Sequence, residues 1–242
     1  MKKTISRLLK KAGWELHRIR PSSPPRSTMV AGLEWLSIHG FHIKTVLDVG
    51  ASNGCWSREC MNFFPEANYV LYEPQPVHSD ALDAFAESCK GQVLLIKKAV
   101  GGSEGHTFFD ATDAFGGKLL RNKKGPTTIS VELTTIDAST ARLGTEGPYL
   151  LKLDTHGYEK SILEGAATIL GQAEILIIEA YNYRISDEAL LFWELCLFLS
   201  ERGFRPIDLV DTLHREYDAS LWQMDLIFIR SSWEGFKNLR YR

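Results

Sequence analysis

The stretch Thr45-Val46-Leu47-Asp48-Val49-Gly50-Ala51-Ser52-Asn53-Gly54 limits what this chain can fold into more than any other. An apolar run that carries a carboxylate near its end and breaks into a glycine-bounded turn reads as a buried strand followed by a helix, here from about Cys55. Glycines at such a turn let backbone N–H groups approach a ligand with no Cβ in between, which makes the strand end a nucleotide-type pocket. A second carboxylate, Glu73, closes the next apolar run, Tyr69-Val70-Leu71-Tyr72, 23 residues after Gly50. A separation of roughly 20 residues suits an acid whose two oxygens hold a ribose diol.

Further strand-like runs occur at Val93–Ile96, Tyr149–Leu153 and Ile175–Ile178, continuous in Val, Ile and Leu instead of alternating with polar residues. Continuous apolar strands are buried on both faces, so they belong to a parallel sheet covered by helices. Helical segments are expected at Met29–His39, Cys55–Phe63, Val77–Cys89, Tyr158–Leu170 and Glu188–Arg202. In Tyr158–Leu170 the residues Ile162, Leu163, Ala166, Ala167 and Leu170 form one stripe, as a helix lying on a sheet requires. This alternation predicts a doubly wound α/β fold. Thr107-Phe108-Phe109 and Thr128–Leu133, separated by the Gly/Lys/Asn-rich stretch 116–125, read as an inserted antiparallel pair whose loop borders a substrate. Leu221–Ile229 reads as a final strand, pairing with Arg205–Val210 as an edge hairpin.

At 242 residues, 44% hydrophobic and 24% charged, the chain is long enough to bury a full core in one domain with terminal additions. The net charge of −2 hides an asymmetry. Residues 1–20 hold seven basic side chains against Glu15 alone, a net of +6 that leaves −8 on the remainder. Ile5, Leu8, Leu9, Ala12 and Leu16 fall at near-helical spacing there, and Pro21-Ser22-Ser23-Pro24-Pro25 cannot continue a helix. Residues 1–25 are therefore expected as a basic helix and linker, and 26–242 as the main domain. Such a helix either packs its stripe on the body, the favoured reading, or makes a peripheral contact with an anionic membrane or acidic partner. The acidic remainder lacks clustered basic and aromatic residues, which speaks against nucleic acid. No apolar run reaches the roughly 18 residues of a membrane span, and no apolar core of a signal peptide is present at the N-terminus. Cys55, Cys60, Cys89 and Cys196 are scattered with no CxxC pair, as for reduced thiols and a cytoplasmic protein.

Nicotinamide folds favour G-x-G-x-x-G, and the pattern here, Gly50-Ala51-Ser52-Asn53-Gly54, lacks the third glycine. Asp48, just ahead of the glycines, is placed to take an ammonium directly or through water, while Glu73 holds a ribose. A cationic amino acid joined to a nucleoside describes S-adenosylmethionine.

These residues resemble those of the FkbM-type methyltransferases, class I enzymes that use S-adenosylmethionine. The likeness runs through Val46–Gly54, Tyr72-Glu73-Pro74, Lys98-Ala99-Val100-Gly101, Thr134-Thr135-Ile136-Asp137, Leu151–Glu159, Leu163-Glu164-Gly165-Ala166 and Ile177-Ile178-Glu179, within about residues 44 to 230. The element Lys152-x-Asp154-x-x-Gly157-x-Glu159 is its most specific part, and His156 departs from the Glu or Gln expected before that glycine. The resemblance implies a Rossmann-like, mostly parallel seven-stranded sheet with an antiparallel C-terminal strand and helices on both faces. It implies that Asp48, Gly50, Ala51, Ser52, Asn53, Gly54, Glu73, Pro74, Ala99 and Asp154 bind the cofactor. It also implies methyl transfer to a hydroxyl oxygen of a sugar, glycolipid or secondary metabolite. A nitrogen acceptor, or cofactor binding without turnover, stays open.

Methyl transfer to an alcohol needs alignment, exclusion of water and removal of a proton. His156, whose imidazole titrates near working pH, is the candidate base. Asp154 would orient the acceptor or the cofactor's amino group, and Glu179 would orient His156 or the acceptor. Glu159 is expected to cap a helix. Asp154, His156, Glu179 and Asn182 also offer ligands that suit magnesium, but no metal is assigned. His214 is read as part of a surface loop near the substrate edge.

Overall fold

The computed structural model describes residues 27–120 and 125–241, so the expected basic helix and linker lie outside the described residues. The chain enters through α1 (Met29–Ile38), whose Thr28 cap accepts from the Ala31 N–H and which buries Leu33 and Leu36. Gly32 lets this helix press against Ile227, whose side chain a Cβ would strike. Next come β1 (Thr45–Val49), the glycine turn, α2 (Cys55–Cys60), β2 (Asn68–Tyr72), α3 (Ser79–Ser88) and β3 (Val93–Ile96). An insertion follows with β4 (Ala99–Val100), β5 (Gly105–Asp110), β6 (Lys118–Leu120) and β7 (Thr128–Thr134). The α/β alternation resumes with α4 (Ile136–Leu143), β8 (Tyr149–Leu153), α5 (Glu159–Glu164), α6 (Ala167–Gln172), β9 (Ala173–Tyr181) and α7 (Phe192–Ser200). A hairpin of β10 (Phe204–His214) and β11 (Leu221–Arg230) closes the fold.

The main sheet has seven strands in the order β10-β11-β9-β8-β1-β2-β3. From β3 to β9 the neighbours are parallel, and β11 runs antiparallel between β9 and β10. This is the expected Rossmann-like class. Because successive strand residues face opposite ways, two apolar layers form. Leu47, Val49, Leu151 and Leu153 face one layer, and Val46, Leu150, Ile175 and Ile177 face the other.

Two expectations needed revision. The inserted pair is a second, four-stranded sheet in the order β4-β7-β5-β6. The single helix expected over Tyr158–Leu170 is two, α5 and α6, broken at Gly165-Ala166. Gly165 packs on the Gly101 backbone, where a Cβ would collide with the carbonyl, so contact with the insertion overrides helix continuity. All four cysteines are free. No helix among the described residues is long and apolar enough to cross a membrane.

Candidate active site

The carboxyl ends of β1, β2, β8 and β9 and the start of β11 meet along one edge of the sheet, since antiparallel β11 begins where β9 ends. Open doubly wound sheets bind ligands at this edge. A cavity of about 260 Å³ opens there, lined by residues of all four parallel strand ends and by Ala114, Phe115 and Gly117 of the insertion.

The glycine turn forms its floor. Gly50 has φ +81° and packs on Asp154, whose carbonyl a Cβ would strike. Ser52 is left-handed at φ +50°, and its N–H donates to Glu73 Oε2 at 2.9 Å. Glu73 Oε1 accepts the Gln75 N–H at 2.8 Å. The Glu73 carboxylate is thus fixed by two backbone donors, one on each oxygen, and is 7% exposed at the cavity wall. Burial raises its pKa, against the pull of those two N–H bonds.

Gly50, Ser52, Glu73, Pro74, Ala99, Asp154, His156 and Glu179 all line the cavity, and Asp48, Ala51, Asn53 and Gly54 do not. Asp48 stands behind the cavity lining. It is 0% exposed, accepts from Ser57 Oγ at 2.7 Å and lies 3.6 Å from Lys152 Nζ. The two-residue period of β1 turns Asp48 to the opposite face from Val49, which does line the cavity. Asp48 therefore ties α2, through Ser57, to Lys152 of the neighbouring strand. Lys152, its register partner on β8, also donates to Asp154 Oδ2 at 3.0 Å. Burial works against the Lys152 charge, but Asp154 and Asp48 outweigh it and raise its pKa. Burial in turn raises Asp48, against the pull of Lys152 and Ser57.

His156 sits at φ +52° in the turn after β8. Its Nδ1 lies 2.8 Å from Tyr181 Oη and 3.1 Å from Glu179 Oε2, and its Nε2 lies 3.0 Å from the Phe115 carbonyl. Tyr181 spends its own proton on Glu179 Oε2 at 2.5 Å, and a carbonyl only accepts, so both ring nitrogens are placed as donors. Burial disfavours the imidazolium, but Glu179, Asp154 and the Phe115 carbonyl outweigh it and raise the pKa to about 9. With Nδ1 and Nε2 both engaged in this way, His156 presents no free lone pair to the cavity in this arrangement. It serves as a cation that ties Glu179 to the Phe115 loop. Asp154 remains ionised: burial raises its pKa, but Lys152 and His156 lower it further. Its side chain is 36% exposed, against 8% for Glu179.

Asp154, His156 and Glu179 each bring one ligand atom within 4.8 Å of the others, while Asn182 turns its amide to the Leu221 carbonyl. Glu159 is buried in the first turn of α5, where its carboxylate accepts the Gly157 N–H at 2.8 Å and Thr155 Oγ at 3.2 Å, bonds that brace the preceding turn and not the helix end.

Several residues of this site escaped the sequence reading. Gln223 Nε2 donates to Glu179 Oε1, Tyr181 bridges His156 and Glu179, and Gln75 and His78 both bond the Ala114 carbonyl. Asp225, paired with Glu179 across β9 and β11, is pushed up to about 7 by burial and by Asp154 and Glu179, against Lys152. Polar residues at 223 and 225 inside the otherwise apolar run of β11 were the available signal.

A family model described as the Methyltransferase FkbM domain matches residues 48–206. Among solved structures, the chain is similar to methyltransferase FkbM from Methylobacillus flagellatus KT, with 14% identity and a TM-score of 0.50. That likeness covers 76% of this chain and 43% of the other, so the chain spans less than half of that protein's length. At this identity it speaks for the fold alone. The chain is also similar to a 1,6-didemethyltoxoflavin-N1-methyltransferase from Burkholderia thailandensis with bound S-adenosylhomocysteine (14% identity, TM-score 0.47, 84% of this chain and 76% of that one). A third similar structure is an O-methyltransferase family protein from the same organism (14% identity, TM-score 0.44, 85% and 56%). No curated protein sequence matches the chain.

Proposed function

The chain belongs to the FkbM methyltransferase domain family, and from that premise we propose that it moves a methyl group from S-adenosylmethionine to a hydroxyl oxygen of a sugar, glycolipid or secondary metabolite. The observation that carries this reading is the Glu73 carboxylate, held by one backbone N–H on each oxygen at the wall of a strand-end cavity. A carboxylate so fixed still has a lone pair on each oxygen for the two hydroxyls of a ribose. Gly50, lacking a Cβ, and Ser52 frame the floor beneath that diol, while Pro74 and Ala99 give apolar wall.

The cofactor supplies an electrophilic methyl carbon when bound. The protein's part is to hold the acceptor in line, exclude water and take a proton. Asp154 is the ionised carboxylate best exposed to the cavity, so it is the group assigned to receive the acceptor's hydroxyl proton. Lys152 fixes it by the 3.0 Å bond to Oδ2. Glu179, locked by Tyr181, Gln223 and His156, orients the acceptor. The Phe115 loop covers the cavity and is held down by His156, Gln75 and His78. Oxygen as the acceptor atom rests on the family resemblance.

The test is turnover of labelled S-adenosylmethionine against glycosides, phenols and amines, with binding of S-adenosylhomocysteine measured in parallel. Asp154→Asn is expected to cut turnover about 100-fold or more, the usual span for a lost proton acceptor, with affinity for the neutral S-adenosylhomocysteine changed far less. Turnover by Asp154→Asn within threefold of the original would remove Asp154 as the proton acceptor. A methylated amine as the only product would replace oxygen by nitrogen.

A further inference from the structure

A second concavity, of about 310 Å³, stands at the same sheet edge in the turn between β10 and β11. Leu213, His214, Arg215, Glu216, Tyr217 and Trp222 line it. A wall of packed rings separates it from the reaction cavity. His156 lies 6.5 Å from Tyr181, and Tyr181 meets Trp222 edge-on at 6.0 Å. Trp222 then stacks on Tyr183 at 5.2 Å.

The turn itself is braced. Arg215 N–H donates to the Ser220 carbonyl and Ala219 N–H to the Arg215 carbonyl, each at 2.9 Å. Asp218 accepts from Ser220 Oγ at 2.6 Å and pairs with Arg215 at 3.1 Å. The Arg215 guanidinium lies 4.6 Å over the Tyr183 ring and 5.3 Å from Tyr217. Ala219 in the turn is left-handed at φ +56°, a conformation that costs free energy for an alanine, and Asp211 on β10 is left-handed at φ +48°. Yet this braced turn leaves Tyr217 87% and Leu213 53% exposed. Large apolar side chains held open by a fixed and strained backbone, beside a reaction cavity, mark a surface shaped for a ligand.

The lining selects the ligand class. The Trp222, Tyr217 and Leu213 side chains offer apolar surface, while His214, Arg215 and Glu216 supply a charged and hydrogen-bonding rim. A hydrocarbon tail would use only the apolar wall and leave the His214, Arg215 and Glu216 side chains at the rim without a ligand partner. A pyranose has C–H faces for an aromatic wall and hydroxyls around its edge for the rim. We propose that this bay is a subsite for a pyranose ring of the methyl acceptor, two ring contacts away from His156. The role as an acceptor subsite rests on the methyl-transfer reading of the neighbouring cavity.

The test uses the full chain with S-adenosylhomocysteine present. Methyl α-D-mannopyranoside, methyl β-D-galactopyranoside and methyl β-D-glucopyranoside serve as probes in saturation-transfer NMR, with affinities from titration. At least one pyranoside is expected to bind. Tyr217→Ala is expected to weaken it about three- to tenfold, the span of one aromatic contact, and Leu213→Ala by a smaller factor. Both side chains are largely exposed, so neither change threatens the fold, and S-adenosylhomocysteine affinity should stay within about twofold. Binding of S-adenosylhomocysteine with no pyranoside bound, or equal pyranoside affinity in the original and both variants, would overturn the bay alone. If S-adenosylhomocysteine itself fails to bind the original protein, the methyl-transfer reading falls instead, and the acceptor role of the bay with it.

Discussion

Replacing Glu73 by Gln tests the cofactor reading at its narrowest point. The side chain keeps its shape but loses its charge and one acceptor oxygen. In the native arrangement Oε2 faces the Ser52 N–H at 2.9 Å and Oε1 faces the Gln75 N–H at 2.8 Å. A carboxamide must therefore set its NH₂ against one of those two donors, and its single oxygen serves the other. Two hydroxyl-to-carboxylate bonds are each worth about 1.5–3 kcal/mol, and the variant keeps at most one, uncharged. The expected loss is about 2–3 kcal/mol, or roughly 30- to 150-fold in affinity. Calorimetric titration with S-adenosylhomocysteine reads it directly, and thermal unfolding of Glu73→Gln separates the loss from a weakened turn, since one unsatisfied N–H costs about 1–3 kcal/mol of stability by itself. An affinity within threefold of the original, in a variant that unfolds normally, would refute the assignment of the ribose to Glu73.

Asp225 gives a prediction of pH dependence. Its native pKa of about 7 stands above the 3.8 of a free carboxyl, so between those values the folded state holds a proton that the unfolded chain has released, and stability falls as pH rises through that window. Asp225→Asn removes this titration. Its advantage over the original in urea should grow from near zero at pH 4 to at most about 4 kcal/mol above pH 7. Parallel pH profiles for the two proteins would reject the reasoning. Gly50→Ala should be destabilised by more than about 1 kcal/mol and lose cofactor affinity, because φ +81° strains an alanine and its Cβ meets the Asp154 carbonyl. An unaltered melting temperature together with unaltered S-adenosylhomocysteine affinity would show that the turn tolerates a side chain.

The sheet was legible because its strands are short, apolar and punctuated: Thr45–Val49, Val93–Ile96 and Tyr149–Leu153 have the bounds that the sequence suggests. What escaped depends on contacts between distant residues. The break at Gly165 follows from its approach to Gly101, 64 positions earlier, which no helical periodicity registers. The place of Asp48 before the glycines points toward a ligand, whereas its bonds to Ser57 and Lys152 depend on how neighbouring elements pack. For His156, residue type suggested a base, but Phe115 and Glu179 decide its protonation, and both come from elsewhere in the chain. Position along the strand edge was readable for Glu73, Asp154 and Glu179. Hydrogen-bonding state was not.

The charges of the site form a single system. Asp48, Glu73, Asp154, Glu179 and Asp225 lie at or just behind one strand edge, and Lys152 and His156 pair with Asp48, Asp154 and Glu179 among them. Glu179 and Asp154 raise the pKa of His156 against the effect of burial, and burial together with Asp154 and Glu179 raises that of Asp225. The same negative potential also favours a ligand bearing positive charge near Asp154 and Glu179, and a low-dielectric wall strengthens it. A sulfonium is such a charge. Methyl transfer would then remove the charge that the cavity favours, so the same carboxylates that draw the cofactor in would hold its neutral thioether product less tightly. On this reading the acidic edge contributes twice to the reaction, in selecting the methyl donor and in releasing what remains of it.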